Sequence, residues 1–169
     1  AQQRADRLVS IRESPSYPQT WHEPSGFERC ITRGLPATMM PGFYNHNYQI
    51  LQTPNYVVIN AEMIHDTRII PLDGRPHLPA HLRQWMGDSR GHWDGDTLVV
   101  ETTNFTDKVY ERRVSNTVFG AGKAMNFVER LTRVDADTLD YRFTLTDPTT
   151  FAKPWTAVIP MNAMSAPIH

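Results

Sequence analysis

Tyr56–Phe105, YVVINAEMIHDTRIIPLDGRPHLPAHLRQWMGDSRGHWDGDTLVVETTNF, is the stretch that decides the fold. It opens and closes on β-type apolar runs, YVVINAEM at 56–63 and DGDTLVVETTNF at 94–105. Between them lie most of the ionisable and aromatic side chains that chemistry would use. His65 to Leu72 (HDTRIIPL) predicts a further strand, or a continuation of 56–63 past a bulge. Asp73-Gly74-Arg75-Pro76 is a turn, because its residues tolerate positive φ or fix φ near −65°. Residues 75–93 predict a loop with one helical turn near 80–86, and Asp94-Gly95 a tight turn into the strand that follows.

Outward from this stretch the β pattern continues. YQILQT at 48–53 predicts a strand joined to 56–63 by Pro54-Asn55, a hairpin-length link. Three more strands are predicted at 125–134, 138–147 and 154–161. TLDYRFTLTD at 138–147 alternates most cleanly: Leu139, Tyr141, Phe143 and Leu145 point one way, and Asp140, Arg142, Thr144 and Thr146 the other. Asp94-Gly-Asp-Thr-Leu98 and Asp135-Ala-Asp-Thr-Leu139 share the pattern D-x-D-T-L, as expected if two hairpins solve one turn problem with Asp side chains on turn amides. Residues 106–124 predict a long connection. Before residue 30, Pro15, Pro18 and Pro24 break regular structure after one short helix over Gln2–Arg12, and Trp21 and Phe27 are the expected anchors.

Many short strands with turn residues between them predict a mainly β, antiparallel curled sheet, or a lipocalin-like β-barrel with little helix. The domain is expected to span 30–161, with an extended Pro-rich segment, 1–29, packed on it and a tail at 162–169. A chain of 169 residues fits one domain, and an apolar fraction of 40% supplies a core. Net charge is −1, so no basic field exists to hold nucleic acid or anionic lipid. The longest apolar runs fall far short of the roughly 18 residues that span a bilayer. Cys30 is the only cysteine and predicts a lone buried thiol.

The segments RCITRGLP, YNHNYQILQTPNYVVI, EMIHDTRIIPLDGRPH, WMGDSRGHWDGDTLVVETTNF and DPTTFAKPWTA together resemble a large family of uncharacterised secreted bacterial proteins. The resemblance covers about Arg29 to Met161. It implies a secreted or periplasmic setting and brings no established activity. Relatives also share a further C-terminal segment containing a Cys and a His. The resemblance therefore implies that this chain is a fragment and that the natural partner of Cys30 lies in the missing segment.

The candidate chemistry centres on Glu62, His65, Asp66 and Arg68. A regular strand through them would put Glu62, Asp66 and Arg68 on one face, with His65 turned away unless a bulge brings it in. On that reading Glu62 or Asp66 is a general base and Arg68 an anion clamp. The bland alternative is a salt bridge on a solvated face, with Asp66 paired to Arg68, Arg130 or Arg142. Trp85, Arg90 and His92, beside Asp88, Ser89 and Trp93 in the Gly-punctuated loop, are expected at the rim of a ligand site, with His46 and Arg142 as further binding residues. No G-x-S-x-G elbow accompanies Ser89, which argues against a serine hydrolase. His77 and His81 are four apart, but Pro76 and Pro79 break the helix that zinc spacing would need, so no metal is expected. No cofactor is expected either.

The leading expectation is a secreted pocket protein for a small organic ligand, with cofactor-independent acid–base chemistry of lyase, isomerase or hydrolase type. The alternatives are a non-catalytic ligand-binding barrel, and an assembly module that self-associates through its sheet edges.

Overall fold

The computed structural model describes residues 29–42, 44–107 and 122–164. The helix expected over 2–12, the anchors Trp21 and Phe27, and most of the 106–124 connection lie outside the described residues.

Among the described residues, eight antiparallel strands form two sheets. The first has three strands in chain order: β1 (Tyr48–Gln52), β2 (Tyr56–Ala61) and β3 (Thr67–Pro71). The second has five, also in chain order: β4 (Asp88–Asp94), β5 (Thr97–Thr103), β6 (Asn126–Arg133), β7 (Thr138–Thr146) and β8 (Trp155–Asn162). The only helical pieces among the described residues are single 3-10 turns at Ala37–Met39 and Met63–His65. The chain is therefore mainly β, as expected, but among the described residues no closed barrel joins the two sheets: no hydrogen-bonded ladder links β3 to β4 or β8 to β1.

Alternation builds the core. Val57, Ile59 and Ala61 on β2, Phe127 and Leu131 on β6, and Tyr141, Phe143 and Leu145 on β7 are all buried. All of these but Ala61 join Leu35, Met39, Ile70, Val100 and Phe105 in one contiguous cluster drawn from both sheets. Fully burying an aliphatic or Phe side chain contributes roughly 1.5–3 kcal/mol, and this cluster is what holds the sheets together. Phe143 is its hub, with ring centroids 5.0 Å from Phe127, 5.9 Å from Tyr141 and 5.3 Å, edge-on, from Trp155.

Several expectations need correction. Glu62 to Asp66 do not lie on a strand: the chain reverses there, closed by the Ala61 N–H donating to the Asp66 carbonyl at 2.8 Å. Ile64 and His65 both take positive φ, 62° and 59°, to make the turn. Residues 88–93 are not loop but most of β4, paired along its length with β5. Near 80–86 the chain forms no helix but two single hydrogen-bonded turns, the Leu82 N–H donating to the Pro79 carbonyl at 2.8 Å and the Gly87 N–H to the Gln84 carbonyl at 3.3 Å. Cys30 is exposed, not buried, and sits at φ 54° in a turn.

Both D-x-D-T-L segments do mark strand-to-strand turns. Only the second uses its first Asp as expected, Asp135 Oδ1 accepting from the Asp137 N–H at 2.9 Å. In the first, Asp94 instead pairs with Arg130 on β6 at 2.7 Å.

Candidate functional site

Two concavities matter, and the predicted site residues divide between them and the surface. The larger is a cleft of about 650 Å³ at the unpaired edges of β1 and β8. Its walls include Tyr48 and Ile50 from β1, Leu139 from β7, and Ile159 and Met161 from β8, with Met39 from the first 3-10 turn.

Backbone geometry explains why these edges are open. Thr53 N–H donates to the Tyr56 carbonyl, which sets the odd-numbered residues of β1 bonding to β2 and turns the backbone groups of Tyr48, Ile50 and Gln52 outward. In the same way Ala163 N–H donates to the Asp137 carbonyl, so Thr156, Val158, Pro160 and Asn162 face out from β8. Pro160 has no N–H to offer at the middle of that edge, a residue type that sheets tolerate only there.

The cleft is mainly apolar with a polar end. His46 lines it, and its Nε2 lies 2.6 Å from Arg33 Nη1. Burial first, and the Arg33 guanidinium second, hold its pKa below the ordinary 6.5, so the ring accepts from Arg33 as neutral imidazole. Tyr48 donates its hydroxyl to the Thr38 carbonyl at 2.9 Å, and burial pushes its pKa up to about 12.

The second concavity is a recess of about 250 Å³ between β3 and β4, lined by Arg68, Gln84, Asp88 and Ser89 among others. Behind it lies a buried polar network. Arg68, 4% exposed, grips Glu129 of β6 with two bonds, Nη1 to Oε1 at 2.8 Å and Nη2 to Oε2 at 2.5 Å. Arg68 Nη2 also reaches Ser89 Oγ at 3.3 Å and Thr102 Oγ1 at 3.4 Å, and Tyr141 donates to Glu129 Oε1 at 2.9 Å. Burial acts to lower the Arg68 pKa, but the Glu129 carboxylate beside it more than reverses this and keeps the guanidinium charged. Burial raises the Tyr141 phenol well above its usual range. The network is a paired ion buried in a β core, and its arginine is a tether between sheets before it is anything else.

The remaining predicted residues do not converge on either concavity. Glu62 accepts from Asn47 Nδ2 at 2.7 Å. Asp66 accepts from Thr32 Oγ1 at 2.7 Å, and its pKa is raised by burial despite that bond. His65 is exposed in the β2–β3 turn. Trp85 is half-buried in the 85–86 turn, His92 is exposed on β4, and Arg142 is exposed on β7 beside Asp140. Arg90 does not line a rim: it is bonded to Asp88 Oδ1 at 2.7 Å and to the Pro76 carbonyl at 3.0 Å. The acid, base and clamp expected on one strand face are therefore in three different places.

Two groupings went unread in the sequence. Glu129 sits at an inward position of MNFVERLTRV, between Phe127 and Leu131, and a carboxylate in that apolar row was the available signal. His77 and Asp88, eleven apart, meet through the fold with His77 Nδ1 2.9 Å from Asp88 Oδ2. Their sequence spacing carries no signature. Among the described residues, no group of three or more His, Cys, Asp or Glu is arranged to hold a metal ion, and no helix is long and apolar enough to cross a membrane.

Comparison with protein-family models, with curated proteins and with solved structures found no match to this chain.

Proposed function

We propose that this protein binds a small, largely apolar organic molecule in the cleft between β1 and β8, and that it does so without transforming it there. The observation that carries the reading is the separation of chemistry from space. The cleft has Tyr48, Ile50, Leu139, Ile159 and Met161 on its walls, with His46, Arg133 and Asp137 as its further charged or titratable groups, while Glu62, His65, Asp66 and Arg68 all lie elsewhere. Its volume falls within the roughly 300–1,000 Å³ common for small-molecule sites. With Nε2 of neutral His46 accepting from Arg33, its Nδ1–H is the group left to donate, which suits a ligand with one hydrogen-bond acceptor.

The same proposal holds the eight strands to be a curled, lipocalin-like meander with an open seam at β1 and β8. Support for this comes from the other break, where Ile70 and Leu72 crowd the Cα of Gly91 on β4 so closely that the sheets run on from one another without a ladder. A secreted or periplasmic setting, drawn from the family resemblance, belongs to this proposal too. Self-association through the sheet edges is the weaker alternative, because Pro160 interrupts the donors of the β8 edge.

Fluorescence titration with the neutral fluorophore N-phenylnaphthylamine tests the reading. Saturable binding is expected, weakened at least tenfold by Leu139→Glu, which puts a charge on the cleft wall, and unchanged by Val134→Glu on the exposed surface. Equal binding by both variants would count against the cleft.

A further inference from the structure

Both D-x-D-T-L turns line one further hollow, of about 580 Å³. Gly95 and Asp96 come from the first turn, and Asp135 and Ala136 from the second. Gln52, Trp93 and Arg133, at or next to the ends of β1, β4 and β6, complete it. The hollow adjoins the apolar cleft, since Arg133 and Ala136 line both. Trp93 is out of keeping with its row. It stands opposite Leu98, which stands opposite Leu131, which stands opposite Tyr141, so the four side chains share the inner face. The other three are at most 4% exposed, whereas Trp93 is 46% exposed. A Trp can bury roughly 150–250 Å², so an indole left half open on a face that is otherwise core forgoes a large apolar gain.

The polar groups of the hollow are of both signs and have hydrogen-bonding capacity to spare. Arg133 is held in place by its own turn, Nε donating to the Asp135 carbonyl at 3.0 Å and Nη2 to the Ala136 carbonyl at 2.9 Å. Among the described residues its Nη1 makes no bond, and the Asp96 carboxylate has no hydrogen-bond or ion-pair partner. Asp135 uses Oδ1 to accept from the Asp137 N–H at 2.9 Å. A guanidinium repels an organic cation, and two carboxylates repel an anion, so neither charged class suits the hollow. A neutral ligand with neighbouring hydroxyls suits all of it, because one hydroxyl both donates to a carboxylate and accepts from a guanidinium or an amide. The weakly positive C–H face of a sugar ring also matches the negative π face of an indole.

We propose that this hollow is a saccharide-binding site, separate from the cleft, in which Trp93 is the platform for one pyranose ring and Gln52, Asp96, Arg133 and Asp135 bond its hydroxyls. Each D-x-D-T-L turn then contributes one carboxylate, Asp96 from the first and Asp135 from the second. The volume leaves room for a short saccharide and lies within the range common for small-molecule sites.

The experiment is NMR titration of the full chain with cellobiose, maltose and lactose, followed at the indole N–H resonances, with that of Trp93 assigned by its loss in Trp93→Phe. A saturable shift of the Trp93 resonance is expected with at least one of the three sugars. Measured by saturation transfer to that sugar, Trp93→Ala is expected to weaken binding roughly tenfold. Asp96→Asn, in an exposed turn where the fold does not depend on it, is expected to weaken binding roughly threefold. His92→Ala, on the opposite face of β4, should leave it unchanged. Tetramethylammonium and acetate, the charged comparisons, should not move the Trp93 resonance. Absence of a saturable shift with all three sugars, a Trp93→Ala variant that binds as tightly as the wild type, or preference for either ion overturns the proposal. None of these results bears on ligand binding in the cleft, which N-phenylnaphthylamine reports separately.

Discussion

At the scale of single residues, the decisive pair is Arg68 and Glu129. Their attraction has to offset the removal of two charges from water, and it does so only while both are present with their hydrogen bonds. Glu129→Gln is expected to destabilise the fold by about 3–5 kcal/mol in urea denaturation, because Arg68 is left charged and uncompensated. The double variant Arg68→Met with Glu129→Leu should cost clearly less than Glu129→Gln alone. An equal or larger loss would mean that the pair contributes more than mutual neutralisation.

His46 gives a prediction in pH. Folding disfavours its charged form, through burial and through Arg33, against weaker opposing pulls from the Met40 backbone and then Glu62. As pH falls below about 6.5 the unfolded chain binds the proton first, so stability is full above that value and declines until folded His46 is protonated too. Melting temperatures measured from pH 7.5 down to 5 should fall less steeply in His46→Gln than in the wild type. Of the candidate residues, Arg68 was legible as a charge on a strand that needs a partner, read as an anion clamp or as a salt bridge on a solvated face, whereas the structure buries it. Its partner was not, because a separation of sixty-one positions carries no local pattern.

Elements were more legible than sites. Seven of the eight strands fall where alternation and turn residues put them, since a period of two with Gly, Pro and Asp at the ends is a local property of the chain. β4 escaped because DSRGHWD alternates poorly. Its Gly91 contributes no side chain, and Asp88, Ser89 and Gly91 are buried while His92 and Trp93 are exposed. Gly91 has its own physical reason. A Cβ there would lie 2.7 Å from Leu72 Cδ2 and 2.9 Å from Ile70 Cγ2, so the absence of a side chain lets β3 lie against β4.

Gly91→Val is expected to cost about 1–3 kcal/mol by overpacking and to loosen β3 from β4. Hydrogen exchange should then accelerate at β3 amides more than at β7. The failed strand through Glu62–Asp66 has an equally local cause. Ile64 and His65 at positive φ turn the chain, and a β-branched residue at that angle is something no sequence rule would place there. That single reversal scatters the proposed catalytic face.

At the scale of the described fold, eight strands in chain order leave two breaks, and the two differ in what fills them. One break, between β3 and β4, is packed shut by Ile70 and Leu72 and carries the buried network and the recess. The other, between β1 and β8, stays open as the apolar cleft. Composition anticipated a pocket in a β scaffold, but where the scaffold opens depends on which strands fail to pair. That is settled by long-range register, which alternation does not report. The most direct test is amide chemical-shift mapping of N-phenylnaphthylamine bound to the full chain. Saturable shifts are expected to centre on Tyr48, Ile50, Leu139, Ile159 and Met161, with Thr67, Gln84 and Ser89 unmoved. Shifts centred on β3 and β4, or none at saturating probe, would contradict binding in the cleft.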